Sequence, residues 1–547
     1  MDRTRTRPAT AGKTPRPKQF ATSPYRSKNS TSRPQGERPA ERTSRPAGAG
    51  AGAVRRESGR TDSSRPGTAR PNIRADEGVR QKPERPQDAP AVRGQAPKRP
   101  DAKRAVARDS EGKKPAANAL AAKTPRPVQT RAMDAPKAKG PEIGARITRR
   151  ASDRLRGGHL WVYASDIESI GLPEGGEVPN LLPVADNRGV LLGTALYSPE
   201  SQIALRMIAR EAVSESQWLE LLAKRLRAAI DQRKRLLNAE TDSARLCFSE
   251  ADDLPGVVVD KYAGLVILQL LAKGLDSKAV RETCVRVLRE ELNPIAIVER
   301  PDPKTRELEG LSAPAKEPLF VREGSASGEV EFLLNGLKFH FDANSGQKTG
   351  AFLDQRSNYA AVRDWAAKLG ATGRALDVCT YQGGFALHLA EVCGQVTGVD
   401  ASHSSLEVAE RNLETNRGRL KATVDWIEAD AFQLLRDWSD KGEKFDVVVL
   451  DPPAFAKTQR AVESALRGYK EMNLRALRML RPGGLLATFS CSHHVSWEDL
   501  EAAVASAAHD AGRRVRLLER RGASLDHPVV MNLPETEYLK CLVLEVE

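Results

Sequence analysis

Paired cysteines are missing from this sequence. Its six cysteines, Cys247, Cys284, Cys379, Cys393, Cys491 and Cys541, are scattered, without the close spacing of a zinc site or a disulfide framework. We therefore expect no metal site and a reducing, cytosolic compartment. Long apolar runs are also absent: none approaches the roughly 18 residues a membrane span needs, so no transmembrane helix and no membrane partner are predicted. Nor does an apolar segment follow Met1, as a secretory signal requires. Residues 1–140 are poor in aromatics, with Phe20 and Tyr25 alone, and hold 34 Lys or Arg against 13 Asp or Glu, with 18 of the 34 prolines. Too few apolar side chains are available there to offset backbone ordering entropy. A disordered polycation is predicted, in which Arg-Pro recurs ten times, as at Arg7-Pro8 and Arg126-Pro127. Such a tail attracts polyanions, RNA foremost, by counterion release; a solubilising extension fits its composition equally.

The remainder reverses the sign, with 52 basic against 59 acidic residues. Order is predicted to begin near Ile143. The runs Leu160–Tyr163, Leu181–Val184 and Val190–Gly193, separated by turns such as Asp186-Asn187-Arg188-Gly189, predict a small β-rich domain over 143–212. Over 213–342 we expect an α+β middle domain. It has helices at Trp218–Leu237 and Ser277–Glu290, strands at Gly256–Asp260, Leu265–Leu270 and Ile295–Val298, and a last strand near Val330–Leu334.

The third domain, 343–547, repeats strand, turn and helix. Strands are expected at Ala375–Cys379, Gln395–Val399, Val424–Ile427, Phe445–Leu450 and Leu485–Phe489, with a capping box at Ser496-Trp497-Glu498-Asp499 opening a helix to about Ala511. This alternation predicts an α/β fold with a doubly wound, mostly parallel sheet, whose ligand lies beyond the carboxyl ends of the strands. At those ends stand Gln382-Gly383-Gly384, Asp400, Asp430, Asp451-Pro452-Pro453 and Ser490-Cys491-Ser492. The glycine pair lets backbone approach a ligand, and Asp400, 16 residues after Gly384, is placed to accept from ribose hydroxyls. The loop lacks the GxGxxG of NAD sites and the Gly-Lys-Ser/Thr of triphosphate cradles. The cofactor that fits is S-adenosylmethionine, with Asp377, Tyr381, Gly383, Gly384, Asp400, Asp430 and Asp451 as candidate contacts.

The order Asp377…Gly383-Gly384, Asp400, Asp430, Asp451-Pro452-Pro453 is similar to class I S-adenosylmethionine-dependent methyltransferases. Longer stretches resemble the ribosomal large-subunit methyltransferase I family. They are Gly346–Arg356, Asp451-Pro452-Pro453-Ala454-Phe455, Thr488-Phe489-Ser490-Cys491-Ser492, Gly158-His159-Leu160-Trp161-Val162-Tyr163, Tyr197–Ile203 and Glu250–Gly256. The resemblance covers about 143–547. It implies a PUA RNA-binding domain at 143–212 and methylation of carbon 5 of a cytosine in large-subunit (23S) ribosomal RNA. Lys348, Gln355 and Arg356 resemble the family's pocket-covering element, and Pro452 stiffens the loop beside the pocket; a plain helix entry with a solvated Arg356 fits equally. Whether the protein is a monomer or a homodimer is left open.

Carbon 5 of cytosine accepts a methyl group only after a thiolate adds at carbon 6 and makes carbon 5 enamine-like. Cys491, directly after a strand and flanked by serines, is assigned as that nucleophile; Cys379 belongs to the cofactor turn. Asp451 is assigned to the cytosine amino edge or ring nitrogen. His493 and His494 are candidates for tuning the thiol, and Glu535 and Glu537 for taking the carbon 5 proton; solvated roles fit each. Two rivals stand beside this reading. Methylation of an adenine or guanine amino group calls for an aromatic directly after Pro-Pro, where Ala454 intervenes before Phe455. A non-catalytic RNA-binding assembly factor would have no use for both Asp451 and Cys491.

Overall fold

A computed structural model describes residues 143–547 except 174, 176–177, 314–315, 326–327 and 344–349. The predicted polycation at 1–140 lies outside the described residues. The β-rich runs assemble as expected into a six-stranded sheet, in the order 161–162, 205–209, 191–197, 181–185, 144–147, 167–171. Alternate residues Leu182 and Val184 turn inward with Ala145, Ile147 and Leu205 onto Leu155 of the helix Arg149–Arg156.

The middle segment folds into a five-stranded sheet, 320–321, 296–299, 265–270, 257–262, 244–248. Two helices, Glu215–Lys234 and Lys278–Leu292, cover it through rows such as Trp218, Leu222, Leu226 and Val280, Cys284, Val287. The first was expected to begin at Trp218. It begins earlier because Ser214 and Gln217 form a reciprocal capping box that satisfies its opening N–H groups. A hairpin, Glu329–Leu334 with Leu337–Asp342, follows. Its Phe332, Leu334 and Phe339 share a core with Val362, Phe385 and Leu389 of the following domain. Its backbone N–H groups at Lys338 and His340 donate to the Asn416 and Asn412 side chains.

The catalytic sheet has seven strands: β1 (Arg374–Val378), β2 (Gln395–Asp400), β3 (Thr423–Glu428), β4 (Phe445–Leu450), β5 (Leu480–Ser490), β6 (Val515–Arg521) and β7 (Lys540–Val546). They lie in the order β3-β2-β1-β4-β5-β7-β6, all parallel except β7. Helices α1 (Arg356–Leu369), α2 (Gly384–Ala390), α3 (His403–Asn416), α4 (Ala431–Lys441), α5 (Val462–Met479) and α6 (Trp497–Ala511) cover both faces. That is why β4 reads as an apolar run: Val447–Leu450 is buried on both sides. The strand order reverses between β1 and β4. Register places Val378 opposite Leu450 and Leu450 opposite Thr488, so the ends of β1, β4 and β5 are level at one crevice.

Candidate active site

The turn after β1 is built by left-handed backbone. Cys379, Tyr381 and Gly383 take φ of +64°, +53° and +84° in succession. Asp377 clamps this turn from below. It is fully buried, and its Oδ2 accepts from Thr380 Oγ1 (2.5 Å) and the Ala386 N–H (2.9 Å). Glycine is required here by space as well as by φ. A Cβ on Gly384 would lie 2.5 Å from the Tyr359 ring, and one on Gly383 would lie 2.8 Å from Trp426. Asp400, ending β2, accepts the Tyr381 and Ser402 N–H groups, one on each oxygen, both at 2.9 Å. A carboxylate has about four acceptor sites, so lone pairs remain for ligand hydroxyls. Asp430 is exposed and caps α4 through Gln433 N–H (2.9 Å).

These residues fit S-adenosylmethionine, whose ammonium, sulfonium and ribose hydroxyls call for acceptors and negative charge. Asp377 Oδ1 is a buried acceptor without a hydrogen-bond partner among the described residues, and the glycines keep the turn free of side chains, with Trp426 and Tyr359 packed against it. The same carboxylates mark the local field. Burial pushes the Asp377 carboxyl up to about 7, and Asp400 adds to it. Burial and then Asp400 and Asp451 push the Cys379 thiol far above its ordinary value.

The other half of the crevice lies at β4 and β5. Gln355, buried just before α1, donates its Nε2 to Asp451 Oδ2 (2.9 Å) and accepts from Asn358 Nδ2 (2.7 Å). Cys491 is half-buried, its Sγ 3.9 Å from the Pro452 carbonyl oxygen. Pro452 itself is buried and presents that carbonyl to the thiol. The serines beside Cys491 were read as polar surroundings for it. They are buried instead and bond to a different set of groups: Ser490 Oγ donates to Tyr469 OH (2.9 Å), which also meets Ser492 Oγ (3.2 Å). Ser492 Oγ accepts the Ala456 N–H (3.2 Å) as well. The pair therefore pins the Cys491 segment to α5 and to the loop after Pro453.

Not every candidate reaches the crevice. Lys348 lies outside the described residues. Arg356 is neither solvated nor at the pocket: it is buried, 3.6 Å from Asp526, and donates to the Ser243 carbonyl. Glu535 pairs with His159 Nε2 (3.1 Å), and Glu537 accepts from Trp497 Nε1 (2.9 Å). His493 sits 5.8 Å from the Tyr538 ring, its imidazole held below its ordinary value by desolvation and by Lys540. Sequence reasoning missed Lys540. It pairs with Ser490 across β5 and β7, is 4% exposed, and donates to the Ser492 (3.4 Å) and Tyr538 (3.2 Å) carbonyls. A lysine amid Leu539, Cys541, Leu542 and Val543 was the available signal.

A reversed parallel sheet with a glycine turn beside a strand-end aspartate defines a class I S-adenosylmethionine-dependent methyltransferase. Comparison with known proteins agrees. A model of a PUA-like domain matches 145–210, and a model of an S-adenosylmethionine-dependent methyltransferase matches 322–520. Ribosomal RNA large subunit methyltransferase I of Enterobacter sp. (strain 638) is 35% identical over 402 residues, 72% of this chain and 97% of that protein. Its counterpart in Escherichia coli O127:H6 is 35% identical over 390 residues, 70% and 94% of the two chains. The crystal structure of SMU.776 in complex with SAH shares the fold, with a TM-score of 0.61 at 19% identity over 74% of this chain and all of that one. The chain belongs to the ribosomal RNA large subunit methyltransferase I family. No helix among the described residues is long and apolar enough to cross a membrane.

Proposed function

We propose that the enzyme methylates carbon 5 of a cytosine in large-subunit ribosomal RNA, through a covalent bond between Cys491 and carbon 6. One observation carries this reading: Cys491 Sγ lies against the Asp451-Pro452 loop, at the ends of neighbouring strands β4 and β5. S-adenosylmethionine, when bound, supplies an electrophilic methyl group. The Cys491 thiolate adds to carbon 6, and electron density moves to carbon 5 and onto the ring. Asp451, oriented by Gln355, accepts from the amino edge and so holds the base, or, in its protonated form, donates to the ring nitrogen and neutralises the charge that develops there. After carbon 5 is alkylated, its proton leaves to a base, the carbon 6–sulfur bond breaks and the thiolate returns. The PUA-like domain over 143–212 is the proposed RNA anchor, with the basic 1–140 segment adding non-specific affinity. An amino-group methylase fits the geometry less well. Phe455, the aromatic such an enzyme would place on the base, packs instead on Tyr469 and Phe432, at 4.8 and 5.8 Å between ring centroids.

RNA carrying 5-fluorocytosine at the target tests the proposal, because fluorine blocks the final elimination. A covalent adduct should form only with S-adenosylmethionine present and vanish in Cys491→Ala. A Cys491→Ala enzyme that still makes 5-methylcytosine at near wild-type rate would sink the mechanism. Methylation of an exocyclic amine would replace the function.

A further inference from the structure

Why is a lysine buried against the segment that carries Cys491? Lys540 stands on β7 directly opposite Ser490, one residue before Cys491. Two of its three N–H donors go to the carbonyls of Ser492 and Tyr538, so the ammonium is fixed at the segment that carries the thiol rather than free to reach solvent. A buried ammonium is costly unless an opposite charge faces it. The groups around it are few in kind. Tyr469, on α5, has its phenol pushed up by burial and stays neutral. His493 is held toward its neutral form, with Lys540 itself among the causes. Burial pushes the Lys540 amine below its ordinary value; Glu537, which also accepts the Trp497 indole, opposes that shift most, and Cys491 next. Glu535 is engaged by His159, and Asp451 by Gln355. Cys491 also interacts electrostatically with Lys540.

We propose that the Lys540 ammonium is the counter-charge that keeps Cys491 as a thiolate, a positioning residue acting through the nucleophile. This rests on the nucleophile reading above. The step balances simply: the Cys491 proton leaves to solvent, Lys540 keeps its three protons, and the thiolate is then ready to add to carbon 6. The competing account makes Lys540 a strap between two carbonyls, with no effect on the thiol.

The test is the pH profile of Cys491 alkylation by iodoacetamide in the full chain, resolved by peptide mass spectrometry with Cys379 as internal reference. Lys540→Met keeps the apolar stem and removes the charge, and its Cys491 profile should move up by about 1–2 pH units. Lys540→Arg should restore most of the shift. An unmoved profile in a folded Lys540→Met protein, whatever its stability, overturns the proposal. Should Lys540→Met fail to fold, the interaction can be read from the other side. Cys491→Ala should lower the pH at which the Lys540 amine becomes acylated, since the coupling is reciprocal; no change there also overturns it. Neither alkylation nor acylation involves RNA. Failure of the nucleophile reading would instead appear as 5-methylcytosine formation by Cys491→Ala.

Discussion

Replacing Asp400 by alanine separates the cofactor assignment from mere turn formation. In the structure each Asp400 oxygen already serves one backbone N–H, at Tyr381 and Ser402. The remaining lone pairs are those available to ribose hydroxyls. Hydrogen bonds to a charged group contribute about 1.5–3 kcal/mol, so Asp400→Ala should weaken S-adenosylmethionine binding about 10- to 150-fold. Part of that loss comes from releasing Tyr381, whose left-handed φ of +53° the carboxylate supports. Asp400→Asn keeps one carbonyl oxygen for backbone and should lose less. The assay is titration calorimetry with S-adenosylmethionine and with S-adenosylhomocysteine. Both carry the same ribose, so both should weaken by a similar factor. Unchanged affinity with an intact thermal transition removes Asp400 from the site. A loss confined to S-adenosylmethionine means that the carboxylate answers the sulfonium charge, and the ribose assignment is wrong.

Deleting 1–140, which carries 34 basic against 13 acidic residues, should lower RNA affinity and flatten its salt dependence while leaving the methylated nucleotide unchanged. Filter binding across salt concentrations, followed by mapping of the modified position, checks this; a change of nucleotide would make the segment a specificity element. Asp377 sets a pH dependence of stability, because burial raises its carboxyl from the ordinary 3.8 to about 7 in the folded protein. Its contribution is fully present below about pH 4 and lost as pH rises through about 7, by at most roughly 4 kcal/mol. Asp377→Asn should therefore flatten urea-midpoint curves between pH 4 and 8, and an unchanged slope would refute the assignment.

The strands of the catalytic sheet were legible because period and composition are local properties. Phe445–Leu450 is found where expected, and β1, β2 and β3 fall within a residue or so of their expected spans. The strand ends carried the candidate site for the same reason, since a doubly wound sheet gathers them at one crevice. Side-chain direction was not legible. Nothing local distinguishes an Arg356 that covers the pocket or meets solvent from one buried against Asp526, because the partner lies far along the chain. The same holds for Gln355, which holds Asp451 from 96 residues away. Asp377 illustrates a subtler gap: it lies in β1 as expected, but that one of its oxygens would clamp the turn through Thr380 and the Ala386 N–H could not be read from the sequence.

Two cysteines stand at the ends of strands in this crevice, and the fold treats them oppositely. Cys379 lies in the glycine turn, where burial first and then Asp400, Asp451, Asp377 and Asp430 oppose its ionisation. A thiolate there would compete with the cofactor for the same field and would itself be suppressed by it. On the proposed mechanism the nucleophile then lies beyond Asp451, on the far side of β4 from the glycine turn. Cys491 occupies that place, on β5's end, where β7 brings Lys540 against the segment from the outer side. Asp451 then stands at the border, close enough to the acidic half to raise Cys379 and bound through Gln355 to a position beside Pro452 and the thiol. One sheet would thus offer a field suited to a cationic methyl donor and, two strands away, the field that the proposed anionic sulfur requires. Because β7 runs antiparallel it begins, rather than ends, at this side of the sheet, and its first residue, Lys540, pairs with Ser490.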